Sequence, residues 1–215
     1  EKEESWQVDT AHLTSWNREF KYILVACDVF TRVTRAEAMK DLSQEEVLRA
    51  WKAMGPPFPR MCDTDGGTEL LPGTLLGRHW AAEGIRHKQK AKNDVNSRAL
   101  VDRRIQLIKG ALVTRMARSK QSMQDALPLV VAGLNASPTE ALGGTAPDDL
   151  KSDPIAVFRQ MQRNSEAAAL ADDKAEDQRE KLAESGGNFR SLVGYNTGPN
   201  RRGFIPTFSE GRLHG

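Results

Sequence analysis

Three aspartates, Asp9, Asp65 and Asp102, come from three different parts of the chain, each where a regular element meets a ligand-accessible edge. Asp9 lies in a strand-like run. Asp65 ends another and is followed by Gly66-Gly67, which let a backbone or ligand approach closely. Asp102 lies on a long helical pattern. Carboxylates from separate elements can converge on hard cations such as Mg²⁺ or Mn²⁺, which take oxygen ligands. A pair of such ions, roughly 3.5–4 Å apart, activates water or a 3′-hydroxyl for in-line attack on a phosphodiester. The plainer reading of the same residues is a strand-edge, a turn and a helix-surface aspartate. Spacing alone leaves both open.

Cations accompany these acids. Arg86, His87, Lys88, Lys90 and Lys92 form a basic stretch ahead of the long helix. On that helix Arg98, Asp102, Gln106 and Lys109 fall on one polar face, opposite Val101, Ile105 and Ile108. Both groups read either as solvated surface or as a phosphate-binding face. The net charge of +2 is too mild to argue nucleic-acid binding by itself, but clustering can still leave a basic face. His12 and Glu69 are close in sequence to Asp9 and Asp65; Glu69 reads as a support for the second aspartate or as a residue packed outside it.

The elements that must position these groups follow from pattern. Ser5–Leu13, Lys21–Phe30 and Val33–Met39 read as three strands on short turns. Ser43-Gln-Glu-Glu46 reads as a capping box that opens a helix stopped by Gly55-Pro56-Pro57. A short strand at Arg60–Thr64, a helix at Leu75–Glu83 and a short strand or extended segment at Ile85–Gln89 come next. A polar loop at Asn93–Asn96 then precedes a helix over Ser97–Arg118. Another helix spans Ser122–Leu134, where Pro128 is expected to bend it or mark a later start. Gly143–Leu150 reads as a turn-rich connector, and Ile155–Glu184 as a long polar helix or a partly disordered linker. This order predicts an α/β fold: a mixed five-stranded sheet flanked by helices. The expected domains are a core over 1–150, a helical linker over 151–186 and a small β segment over 187–215.

Hydrophobic residues make up 39% of the chain, and the shortfall sits near residues 159–190. Cys27 and Cys62 lie in apolar runs and read as buried thiols; with no CxxC and scattered histidines, a zinc site is not expected. Trp6, Trp16, Trp51 and Trp80 read as packing residues. No apolar run approaches the ~18 residues of a membrane span. A chain opening on Glu rather than Met is consistent with a processed form or a piece of a polyprotein.

Several motifs carry a resemblance. WQVDTAHLTSWNREFKYILVACDVF resembles the opening of the integrase catalytic core, with the first catalytic aspartate at Asp9. CDTDGGTEL resembles the family's T/S-D-x-G-x-E-F motif, with its aspartate at Asp65 rather than Asp63. RALVDRRIQLIKGAL resembles V-E-R-x-N-R-x-L-K, and LNASPTEALGGTAPDDL resembles the N-x-x-x-H-x-x-x-G-x-x-P stretch that closes such cores. The likeness runs in family order from Trp6 to Leu150, and 36 residues separate Asp65 from Asp102, close to the family's thirty-five.

The resemblance implies an RNase H-like fold and a DDE-type polynucleotidyl transferase from a retrotransposon or other mobile element. It would process 3′ ends and transfer strands, with Mg²⁺ or Mn²⁺ in a two-metal site on Asp9, Asp65 and Asp102. It further implies DNA contacts from Gln106 and Lys109, and favours the same for Lys88, Lys90, Lys92 and Arg98. The implied partners are element-end and target DNA and further copies of the chain in a dimer or higher oligomer. The implied location is the nucleus whenever chromosomal DNA is the target. PNRRGFIPTFSEGRLHG, with Arg201 and Arg202, resembles part of an SH3-like C-terminal domain. Three departures stand out: the third carboxylate is Asp102 rather than Glu, Ile105 occupies the motif's Asn position, and the closing His is missing. They keep a second expectation in play, a domesticated or decayed integrase-like domain that binds DNA or protein without catalysis. An RNase H-type nuclease would share the fold, but the closing LNASP…GGTAP stretch argues against it.

Overall fold

The computed structural model describes residues 5–13, 19–65, 67–89 and 99–184, with side chains as far as residue 181. Trp16, Lys90, Lys92, Arg98, the Asn93–Asn96 loop, the 187–215 β segment and Arg201 and Arg202 therefore lie outside the described residues.

Five strands form one sheet: β1 (Ser5–His12), β2 (Tyr22–Asp28), β3 (Thr34–Met39), β4 (Met61–Thr64) and β5 (Arg86–Gln89). Their spatial order is β3-β2-β1-β4-β5. β1, β2 and β3 pair antiparallel, whereas β4 runs parallel to both β1 and β5. The sheet is mixed, as the sequence predicts.

Side-chain alternation sorts β1 and β2 between two cores. Ala11, Ile23 and Val25 face a cluster built with Val101, Ile105, Ile108 and Leu112 of α3 (Ala99–Ser119) and Met123, Ala126, Leu127 and Val130 of α4 (Met123–Asn135). Trp6, Val8, Leu24 and Ala26 face the other cluster. It contains Val47, Ala50 and Trp51 of α1 (Gln44–Ala53) and Leu76 and Trp80 of α2 (Leu75–Ala82). A strand buried on both faces reads as the near-continuous apolar run ILVAC of β2. Trp51 is fully buried, stacked on Phe58 at 5.3 Å and edge-on to Trp6 and Trp80 at 6.0 and 5.2 Å. Cys27 and Cys62 are buried free thiols.

Local chemistry refines several expectations. Ser43 caps α1 by accepting from Glu46 N at 3.4 Å, but the Glu46 carboxylate does not reach back to Ser43. It accepts from Lys40 N at 3.0 Å, while Ser43 N donates to Asp41, so the cap is half a box. Pro128 neither delays nor restarts α4, which begins at Met123 behind its Ser122 cap. Gly77 lets α2 lie on the preceding turn: a Cβ there would stand 2.5 Å from the carbonyl oxygens of Leu71 and Pro72. The expected connector at Gly143–Leu150 contains α5 (Pro147–Ser152), preceded by a 3-10 turn at Glu140–Leu142. α6 (Pro154–Glu184) is one continuous helix, and the chain divides into two compact units after Met161. Among the described residues no helix is long and apolar enough to cross a membrane.

Asn135, the last residue of α4, clamps the edge strand. Its Oδ1 accepts from Thr34 N at 2.9 Å and its Nδ2 donates to Thr34 O at 2.8 Å. Asn135→Ala leaves both backbone groups buried and unpaired, so chemical denaturation should show a loss of about 2–6 kcal/mol, at 1–3 kcal/mol per orphaned group. A loss below about 1 kcal/mol would mean that water replaces the clamp.

Candidate active site

Strand parity and register bring two of the three aspartates together. On β1, Asp9 shares its face with Gln7 and with Ala11, which packs toward α3. Gln7 Oε1 accepts from Val101 N at 3.2 Å, tying that face to the start of α3. The parallel register matches Ser5 with Met61, Trp6 with Cys62 and Gln7 with Asp63. Two residues after that last pair stand Asp9, within β1, and Asp65, the first residue beyond β4. Asp102 occupies the first turn of α3, the residue after Val101, where the positive end of the helix favours a carboxylate.

Electrostatics shows that these groups sense one another. Burial, then the charges of Asp65, Asp102 and Glu69, push the Asp9 carboxyl up to about 7, against a hydrogen bond from Thr10 N at 2.7 Å that holds it down. Asp63 is absent from that set. It lies within β4, where Ser5 Oγ donates to its Oδ2 at 3.5 Å, whereas Asp65 follows the strand. Among the described residues, no group of three or more His, Cys, Asp or Glu side chains is drawn tightly enough to form a metal cage. The donor chemistry nevertheless fits a divalent cation: hard oxygens only, and a carboxyl group, Asp9, on which no cation acts among the described residues. Asp9, Asp65 and Asp102 are the residues that would hold it.

Thr10 and Glu69 form a strap that sequence reading did not resolve. Thr10 Oγ1 donates to Glu69 Oε1, bridging β1 to the 3-10 turn Thr68–Leu70 that follows Asp65. Gly67 N donates to Asp65 Oδ1 at 2.9 Å, and a Cβ on Gly67 would come within 3.0–3.1 Å of the Glu69 carboxylate. Glu69 thus lies over Gly67 and is anchored by the residue next to Asp9. Its place four residues after Asp65 is a sequence signal, but its bond to Thr10 depends on a strand register that no local pattern encodes. Glu69→Ala should weaken divalent-cation binding by about 10–100-fold, the range for residues that orient ligands. Glu69→Gln, which can still accept from Thr10, should lose less. Isothermal titration with Mn²⁺ reads both, and equal losses would show that charge rather than orientation is at stake.

The expected DNA-contact residues separate. Gln106 and Lys109 follow Asp102 by one and two turns on the same side of α3, Gln106 exposed and Lys109 half-buried. Lys88 is exposed on the edge strand β5, where a lysine also discourages pairing with another chain. Burial lowers the His87 pKa and so favours the neutral ring; Nε2 lies 2.8 Å from Thr64 Oγ1 and the ring packs edge-on against Trp80. His12 is exposed and packs on Tyr22.

The fold matches solved retroviral integrase cores. In the simian T-cell lymphotropic virus intasome in complex with the PP2A regulatory subunit B56 gamma, one chain aligns at a TM-score of 0.62 with 20% identity, over 71% of this chain. This chain spans only 55% of that one. The HTLV-2 integrase catalytic core domain in complex with magnesium aligns at 0.57 with 18% identity, covering 69% of this chain and 95% of the other. The BIV integrase catalytic core domain aligns at 0.56 with 19% identity, covering 70% and 95%. No protein-family model and no curated protein matches the sequence. The architecture is therefore that of an integrase catalytic core, RNase H-like, at identities that speak to fold alone.

Proposed function

We propose that the chain is a metal-dependent polynucleotidyl transferase of integrase type, which processes and joins the 3′ ends of a mobile element's DNA. The observation that supports this reading is that Asp9 lies within electrostatic reach of Asp65 and Asp102, near where β1, β4 and α3 meet, in an integrase-like fold. Mg²⁺ or Mn²⁺ bound there in a two-metal arrangement would polarise the scissile phosphate and activate the attacking hydroxyl. The chain's own residues set up that chemistry. Thr10 N fixes Asp9, Gly67 N fixes Asp65, and Gln7 fixes the start of α3 and so the height of Asp102. Lys109 is placed to meet backbone phosphate and Gln106 to offer a donor and an acceptor beside the carboxylates. Lys88, Lys90, Lys92 and Arg98 would extend the contact to DNA. The HTLV-2 core is known in dimeric form, and we extend that to a homodimer or higher oligomer here, acting on chromosomal DNA in the nucleus.

Asp102 supports a second reading. Its side chain is one methylene shorter than Glu, and an ångström of misplacement can cost about 100-fold, which would leave a domain that binds DNA without catalysis. Disintegration of a branched DNA substrate with Mg²⁺ or Mn²⁺, beside an Asp65→Asn control, separates the two. Metal-dependent joining lost in the control supports the enzyme. DNA binding with no product from either protein supports the binding domain and overturns the proposal.

A further inference from the structure

A second polar site lies outside the carboxylate cluster, in a cleft of about 820 Å³ between β1, the β2–β3 turn, the first turns of α3 and the segment after α4. Gln7, Arg32, Arg103, Arg104 and Glu140 line it. Arg104 is only 7% exposed and is one of the few charged side chains in the interior. It reaches the Cys27 sulfur, which burial holds as a neutral thiol that supplies no counter-charge. Arg32 stands beside Arg104, close enough that the two cations repel. Its Nε–H is buried without a hydrogen-bond partner. Arg32 also has a φ of +64°, a conformation that non-glycine residues seldom adopt, so the turn presents this side chain at a backbone cost.

Opposing charge is scarce among the described residues. Asp28 acts on Arg32 less than Arg104 does, and its Oδ1 already accepts from Phe30 N and Thr31 N. Glu140 is exposed, at the outer side of the lining. A buried and a half-buried guanidinium with a spare donor are expensive to hold side by side unless an anion joins them, and their planar forks match tetrahedral oxyanions in paired hydrogen bonds.

We infer that this cleft binds a phosphoryl oxyanion, held by Arg104 and Arg32 with Arg103 on its exposed side. The oxyanion is either a backbone phosphodiester of DNA or a free phosphate. The inference does not depend on catalysis at Asp9, Asp65 and Asp102.

The test uses the full chain with no divalent cation. Inorganic phosphate and pyrophosphate are compared with chloride at equal ionic strength by thermal shift, and a short DNA duplex is titrated by anisotropy. Arg103→Ala removes an exposed guanidinium; Arg32→Asn keeps a residue that tolerates positive φ. Both should fold even if Arg104→Gln does not. A phosphate-specific rise in melting temperature, lost in Arg32→Asn, establishes the site with free phosphate as a ligand. A duplex Kd raised about 5–10-fold in Arg103→Ala, with the salt slope reduced by about one, identifies backbone phosphate as the source. The inference fails if phosphate gives no shift beyond chloride and duplex affinity is unchanged in both variants, or if the phosphate shift survives in both. Neither failure would touch the metal-dependent assay above.

Discussion

Asp9→Asn is expected to reduce metal-dependent strand joining by on the order of 10²–10³-fold, as when one preorganised group that stabilises the transition state is removed. In metal-free protein the same change should raise stability. Burial and three neighbouring carboxylates push the Asp9 carboxyl up to about 7, far above its value in an unfolded chain. Between about pH 4 and pH 7 the folded chain therefore holds a proton that the unfolded chain has released. Stability must then fall as pH rises through that window and level off above it. Asparagine keeps an acceptor for Thr10 N and removes the charge. The gain should be absent near pH 4 and largest above pH 7, at about 2 kcal/mol once partial exposure is allowed for. Thermal melts in EDTA at pH 4 and pH 8 check this. A variant no more stable than the parent at pH 8 would show that the carboxylates do not crowd one another. A group that costs stability in order to be available for chemistry is a common trade at functional sites.

The largest structural effect is expected at Trp51. Trp51→Ala removes the ring on which Trp6, Phe58 and Trp80 pack, so unfolding free energy should drop by about 3–5 kcal/mol. Trp51→Phe should cost far less. It keeps an aromatic face and also removes the indole N–H, which is buried without a partner and carries a desolvation penalty of its own, about 1–3 kcal/mol. Urea denaturation of the two variants gives both numbers. Similar losses would mean that volume alone governs this core.

Much of the fold was legible because its signals are local. The alternation in β1, the apolar run of β2, the Ser43 and Ser122 caps and the period of α3 are written within a few residues of where they act. What escaped was non-local or depended on compensation. Pro128 is tolerated because its helix is already anchored by Ser122 and by Met123, Ala126 and Leu127 in the core. The Glu46 side chain turned to Lys40 because the β3–α1 connection offered a free N–H. At the site, the three aspartates were visible as residue types, but the Thr10–Glu69 strap and the Arg32–Arg104 pair each join segments far apart in sequence. Residue types announce what chemistry is possible; pairing partners across a sheet are set only by the whole fold.

The parallel register of β1 with β4 has a kinetic consequence. The β1–β2–β3 meander can form from contacts between neighbours in sequence, whereas β1 meets β4 only after the intervening loops and α1 have been ordered. Contacts of that separation carry the larger loop-closure cost and so form late. Asp9 and Asp65 become neighbours through that late event, and Asp102 joins only when α3 docks. A nascent or partly unfolded chain thus carries every acidic residue of the candidate site without the geometry that the proposed chemistry requires.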